Sequence, residues 1–265
     1  MRHVRSGFGL ICLCVLLAQG PALAQGDFRW EGALAAGKSL EVKGVSGDVR
    51  AFHATDGPAV VEAMKRARRS DPGAVHIEVV EHADGVTICA VYPTRADEKP
   101  NVRKPGGEGR LRAKDDDTRV DFTVRLPRGV RFVGRTVNGG VEATGLQSDA
   151  EAHTVNGDIE LRTSGEATAQ TVNGSIRAGL GRVDSEHLSF KTVNGGITVA
   201  LPDGVRLDVE AETVNGYFSS ELPITIRGGN AGLRWGPRRI RGTIGGGGPS
   251  LELKTVNGTI RLTRG

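Results

Sequence analysis

Apolar and polar side chains alternate with a period of two along most of this chain, the pattern of strands that bury one face. Leu40, Val42 and Val49 frame Gly44-Val45-Ser46-Gly47-Asp48 in this way. Between Ala59 and Arg69, Val60, Val61, Met64 and Ala67 suit a helical period, while Val61, Ala63 and Ala67 suit a strand. The strands on either side favour a strand there. Val75–Val79 and Val86–Val91, joined through Ala83-Asp84-Gly85, predict a hairpin. Val120, Phe122, Val124 and Leu126 alternate again.

Beyond residue 131 a repeat organises the alternation. Thr-Val-Asn-Gly begins at Thr136, Thr154, Thr171, Thr192, Thr213 and Thr255, at spacings of 18, 17, 21, 21 and 42 residues. Recurrence at about 20 residues marks a repeat architecture. The last spacing reads as two periods with the copy near residue 234 lost, and the segment around Gly44–Asp48 reads as a degenerate first copy. Leu207, Val209 and Ala211 lead into Thr213 on one parity, as Leu251 and Leu253 lead into Thr255, so each Thr belongs to the inner face. After each Gly the inner face resumes one residue later, at Ile159, Ile176, Ile197, Phe218 and Ile260. Val-Asn-Gly is therefore where the chain turns, and Asn138, Asn156, Asn173, Asn194, Asn215 and Asn257 are structural turn residues.

Two geometries satisfy that turn. One is an Asn-Gly hairpin tip; the other is the corner of a β-solenoid, with Asn in the left-handed region. Independent hairpin tips have no reason to repeat one tetrapeptide, whereas stacked corners do, because Asn and Thr side chains can bond along a column. The expected fold is all-β, a β-solenoid of about 17–21-residue coils, with an antiparallel hairpin meander or sandwich as the alternative.

Composition sharpens the ends of this picture. Arg2 and Arg5, the apolar run Gly9–Ala18 and the small-residue pattern Ala22-Leu23-Ala24 predict a signal peptide over 1–24, cleaved after Ala24. The run is shorter than the roughly 20 residues that span a bilayer. Cys12 and Cys14 lack the small residue that a lipid-attachment site wants before them. The mature chain is expected in the periplasm or secreted, with no transmembrane segment. Without Arg2 and Arg5, 33 Lys and Arg face 31 acids, so charge gives no case for nucleic acid. Cys89 is the single cysteine left, which excludes an internal disulfide, and its strand-like setting predicts a buried inert thiol. Residues 93–117, rich in Pro, Gly and charge and ending in Asp115-Asp116-Asp117, predict a mobile, solvated loop within an N-terminal β region over 25–130. The repeat solenoid over 131–265 is expected to continue from that region.

Candidate chemistry is sparse in this sequence. Glu142 and Glu160 are expected on adjacent coils about 5 Å apart, and sugar cleavage needs such a carboxylate pair. The columns that hold them otherwise mix signs, as solvated faces do. His53, His76, His82, His153 and His187 show no ligand spacing, although His76 and His82 would face each other if the hairpin brought them together. Gly245–Gly248 lacks the Lys-Ser/Thr of a phosphate loop. No catalytic residue, cofactor or metal site is expected. Arg227, Arg234, Arg238, Arg239 and Arg241 gather around Trp235 where the repeat fails. They read as a docking patch for an anionic partner, such as envelope glycan or lipid head groups, or as a cap with its arginines in water.

The recurring T-V-N-G-x-I-x-L, with the ending Gly242-Thr243-Ile244-Gly245-Gly246-Gly247-Gly248-Pro249 and Leu251 through Leu262, resembles the bacterial putative-adhesin family of β-strand repeat proteins of unknown function. The resemblance covers roughly residues 35–265. It implies a β-solenoid-like domain exported to the cell envelope, with no known enzymatic role. The 93–117 loop and the copy missing near residue 234 depart from the family pattern. The expected function is thus a non-enzymatic binding or structural module of the envelope, meeting envelope glycan or an envelope protein. The rival readings are a carbohydrate-active β-helix enzyme using Glu142 and Glu160, and a periplasmic partner of a signalling system.

Overall fold

The computed structural model describes residues 28–55, 57–93, 116–184, 187–226 and 238–265. The expected signal peptide and most of the 93–117 loop lie outside them. The described residues form 21 strands. They make two large mixed sheets, neither closed on itself, stacked like a sandwich over one core.

Sheet A runs β1 (Phe28–Gly32), β4 (Ala59–Arg66), β7 (Arg119–Leu126), β3 (Val49–His53), β9 (Val141–Leu146), β11 (Ile159–Thr163), β13 (Ile176–Leu180), β15 (Ile197–Leu201), β21 (Ile260–Arg264) and β17 (Phe218–Ser220). Sheet B runs β18 (Thr225–Ile226), β19 (Arg238–Ile244), β16 (Leu207–Asn215), β20 (Ser250–Asn257), β14 (His187–Lys191), β12 (Ala167–Gln170), β10 (Ala150–His153), β8 (Arg131–Arg135), β2 (Ser39–Lys43), β6 (Gly85–Val91) and β5 (His76–His82). From β8 to β15 successive strands alternate between the sheets, and each pairs in parallel with the strand two further along. One strand in each sheet makes a rung. The parallel register stacks Val141, Ile159, Ile176, Ile197 and Ile260 in one inward column. All five are buried, and burying an apolar side chain of this size contributes about 1.5–3 kcal/mol.

The repeat residues are consumed in joining the rungs. All six Thr side chains are buried. Each hydroxyl donates to the carbonyl of the motif glycine one rung below, as in Thr154 Oγ1 to Gly139 O (2.8 Å) and Thr192 Oγ1 to Gly174 O (2.8 Å). The asparagines form a continuous amide ladder, with Nδ2 of Asn156, Asn173 and Asn194 donating to Oδ1 of Asn138, Asn156 and Asn173, each at 2.8 Å. The glycine is needed for close approach: a Cβ on Gly157 would lie 2.0 Å from the carbonyl oxygen of Gly139. The degenerate copy also takes its place, since Ser46 pairs with Asn138 and Gly47 O accepts from Thr136 Oγ1 (3.0 Å).

The 42-residue spacing is not a lost copy. β20 lies between β14 and β16, and β21 lies between β15 and β17. The last repeat is threaded back between the fourth and the fifth, so the rungs stand in the order 136, 154, 171, 192, 255, 213. The bonds follow the same order: Thr255 Oγ1 donates to Gly195 O (2.9 Å) and Thr213 Oγ1 to Gly258 O (2.9 Å). Asn257 likewise joins Asn194 (2.7 Å) to Asn215 (2.8 Å). The long gap is the length of chain needed to go out through β18 and β19 and return. Positive φ at Gly245, Gly246 and Gly247 makes the reversal into β20.

Antiparallel strands cover both ends of the stack. β5 pairs β6 and β4 pairs β7 at one end, and β19 pairs β16 in sheet B at the other, which protects edges that an open parallel sheet would present, while sheet A ends there in the three-residue β17. Ala59–Arg66 is a strand, and the hairpin of β5 and β6 forms around Ala83-Asp84. His76 and His82 do not face each other; they sit opposite Val91 and Gly85 at the two ends of β5, because six residues of strand separate them by about 20 Å. Asp116 and Asp117 are more than a solvated end of a loop. The Asp117 carboxylate accepts the backbone N–H groups of Arg68 (3.2 Å), Arg69 (3.1 Å) and Ser70 (2.9 Å), and these bonds, Ser70 foremost, bring its pKa down to about 2. No helix among the described residues is long and apolar enough to cross a membrane.

Candidate functional site

With Thr, Asn and Gly spent on the scaffold, chemistry is left to the outward-facing columns. On sheet B these columns are dense with ion pairs. Arg135 bridges Glu41 (2.9 Å) on one neighbouring strand and Glu151 (2.7 Å) on the other, and Lys43 packs against Glu41 at 3.3 Å with its side chain buried. Glu151 also receives His153 Nε2 at 2.7 Å and the Arg131 guanidinium. Those contacts, the His153 hydrogen bond first, hold the Glu151 carboxyl at about 2. Further along, burial pushes the Glu252 carboxyl up, but bonds from Lys191 (2.6 Å) and Lys254 outweigh it and leave the group at about 2. This face is internally neutralised.

The expected Trp235 patch is divided. Arg227, Arg234 and Trp235 lie outside the described residues, as does the side chain of Arg238. Arg239 and Arg241 are on β19, which covers β16 where a repeat copy was expected. Arg239 Nε donates to Glu210 Oε1 at 2.9 Å, and Arg241 Nε stands 3.4 Å from Glu210 Oε2. The Arg239 bond lowers the Glu210 pKa and raises that of Arg239. These two arginines fasten the capping strand as well as facing water.

Sheet A differs. Its main outward column reads Arg50, Glu142, Glu160, Arg177, Thr198, Arg261 and Ser219 in spatial order. Glu142 and Glu160 are neighbours as expected, yet each is turned to its own arginine, Arg50 at 3.8 Å and Arg162 at 3.0 Å, and both are half-buried. The two carboxylates share a shallow groove of about 250 Å³ with Arg177, and no enclosed cavity differentiates an acid from a base. Arg177 and Arg261 stand on either side of Thr198, and neither forms an ion pair among the described residues. Both line a cleft of about 180 Å³ with Ser175, Thr198 and Thr259. Arg177 and Thr198 also line a larger groove of about 670 Å³. Sequence reasoning missed this pair because Arg261 follows Ser219 in the chain; only the threaded-back repeat places it beside Thr198. Cys89 is buried, as its alternating context predicts. No group of three or more His, Cys, Asp or Glu side chains among the described residues is arranged to hold a metal.

No protein-family model and no curated relative matches the chain. Among solved structures it is similar to a putative cell adhesion protein from Clostridium sporogenes, at 10% identity over 90% of this chain and 100% of the other, with a TM-score of 0.49. It is also similar to a putative adhesin from Bacteroides fragilis, at 12% identity over 90% and 96% of the two chains, with a TM-score of 0.36. At these scores the likeness assigns no function, which has to come from the molecule's own geometry.

Proposed function

We propose that this protein is a non-enzymatic, adhesin-like binding module of the bacterial cell envelope, exported through residues 1–24 and working in the periplasm or outside the cell. In this reading its repeat winds as a β-solenoid, continuous from the N-terminal β region into residues 131–265. The observation that carries it is the division of labour within the repeat. Thr, Asn and Gly are wholly engaged between rungs, while the residues beside them vary from rung to rung on a long, rigid outer surface. A binding scaffold requires that combination. An enzyme requires convergent, differentiated groups, and Glu142 and Glu160 are separately neutralised at the surface. The arginines around Trp235, namely Arg227, Arg234 and Arg238 with Arg239 and Arg241, are retained as a proposed contact for an anionic envelope partner.

The test is a glycan array and an envelope-fraction binding assay on residues 25–265. Saturable binding without turnover is the expected result. Glycan turnover that disappears on replacing Glu142 and Glu160 together would overturn the proposal in favour of a carbohydrate-active enzyme.

A further inference from the structure

We infer that the cleft between Arg177 and Arg261 on the outer face of sheet A is a binding site for an acidic polysaccharide, with sugar carboxylates seated over Thr198. This deepens the binding-module reading and rests on it.

The first support is charge. Three consecutive positions in one outward column are Arg177, Thr198 and Arg261, carried by β13, β15 and β21. Elsewhere in the column the charges are matched, Arg50 to Glu142 and Glu160 to Arg162. Arg177 and Arg261 have no such partner among the described residues, and both project into one cleft. A guanidinium presents a planar fork of donors that fits a carboxylate in two parallel bonds. The two strands are two spacings apart, about 10 Å between backbones, so a carboxylate above Thr198 is within reach of either side chain.

The second support is shape. Beyond the cleft the neighbouring outward column presents Gly179 and Ala200, a hydrogen and a methyl group, before Thr263. At these two positions the floor is almost bare backbone, and the groove of about 670 Å³, bordered also by Leu146, Arg162 and Leu180, lies over it. Such a floor admits a ring laid flat on the sheet and leads the site past a single anion, which favours a chain of sugars over a small free ligand. Ser175, Thr198, Thr259 and Thr263 supply hydroxyls that can donate or accept from a sugar. A concave site of this kind is poorly suited to a flat lipid surface. A chain close to charge balance lacks the broad basic field that nucleic acid attracts. Arg177, Thr198, Arg261 and Thr263 stand on strands, and Ser175 and Thr259 immediately precede them, so the site is held without loop ordering.

The experiment measures binding of the protein to polygalacturonate by titration calorimetry, with fully methyl-esterified polygalacturonate and phosphatidylglycerol vesicles as comparison arms. Binding to the acidic polymer, lost on esterification and weakened by salt, is the expected result. Arg177→Gln and Arg261→Gln should each weaken it about tenfold or more, and the double variant should abolish it while the melting temperature is unchanged. Arg29→Gln, on β1 at the far edge of sheet A and outside both proposed contacts, should bind as the native protein does. Undiminished binding by the double variant would overturn the site but leave the binding-module reading standing. Binding to the vesicles alone would overturn the glycan assignment. Failure to bind the acidic polymer, with other envelope glycans bound, would overturn the site only; failure with every glycan and envelope fraction would remove both readings.

Discussion

Replacing Asn194 by alanine isolates what the amide ladder contributes. Asn194 Nδ2 donates to Asn173 Oδ1 at 2.8 Å, and its own Oδ1 accepts from Asn257 Nδ2 at 2.7 Å. The backbone bonds at this corner run through main-chain atoms and survive the change; Asn194 N still donates to Val172 O at 2.8 Å. The substitution thus removes two side-chain bonds at an exposed edge and creates no cavity. At about 0.5–1.5 kcal/mol net for each bond, with exposure favouring the lower half, the loss should be about 1–2 kcal/mol. For a domain of this size that lowers the melting temperature by about 2–8 °C. Asn215 stands at the end of the ladder with one described amide partner, Asn257 (2.8 Å), so Asn215→Ala should cost about half as much. A double-mutant cycle refines the test: Asn194→Ala and Asn257→Ala share a bond and should be non-additive, whereas Asn194→Ala and Asn138→Ala share none and should add. Denaturant unfolding of the four single and two double variants reads all of this. An unchanged stability in Asn194→Ala, or equal coupling in both pairs, would refute the ladder as a stabilising element.

Other outcomes follow from the same geometry. Gly157→Ala should cost about 3 kcal/mol, more than any ladder asparagine, because the new Cβ meets backbone at 2.0 Å and the rungs must part; thermal unfolding checks it. Glu151 is held at about 2 against an ordinary 4.5, so its contribution is present above about 4.5 and lost as pH falls towards about 2. Glu151→Gln should accordingly flatten the decline of stability across that acid range. Truncation after Gly248 removes β20 and β21, and hydrogen exchange should then show β17 (Phe218–Ser220) unprotected, while β16 keeps only the bonds it makes to β19. A stack built in chain order would keep β17 protected.

Much of the architecture could be read from the chain because a strand has a period of two. Parity alone placed Thr136 through Thr255 inward, put the turn at Val-Asn-Gly, and put Glu142 beside Glu160. Parity is blind to which rung neighbours which. Leu251-x-Leu253-x-Thr255 presents the same inner-face pattern as Leu188-x-Phe190-x-Thr192, so that pattern does not choose between stacking orders. The choice is made by the β18–β19 cover and the glycine reversal at 245–247, which are long-range features without a repeat signature. The cleft at Arg177 and Arg261 was hidden for the same reason. Placed in chain order, Thr198 would have stood beside Ser219, and no cationic pair would have been suspected. The ion pairs of Glu210 were likewise invisible, since the antiparallel pairing of β19 with β16 sets them.

The threaded-back repeat bears on how the molecule responds to mechanical load. A stack in chain order, pulled from its end, would peel one rung at a time, each rupture involving a single ladder. Here β20 and β21 are clasped on both sides, between β14 and β16 in one sheet and between β15 and β17 in the other. Tension applied through β21 along its own direction loads two parallel ladders together, in shear, and neither can open before the other. That clasp places the last repeat of the chain, which in an array stacked in chain order would be the weakest unit, in the interior of the stack.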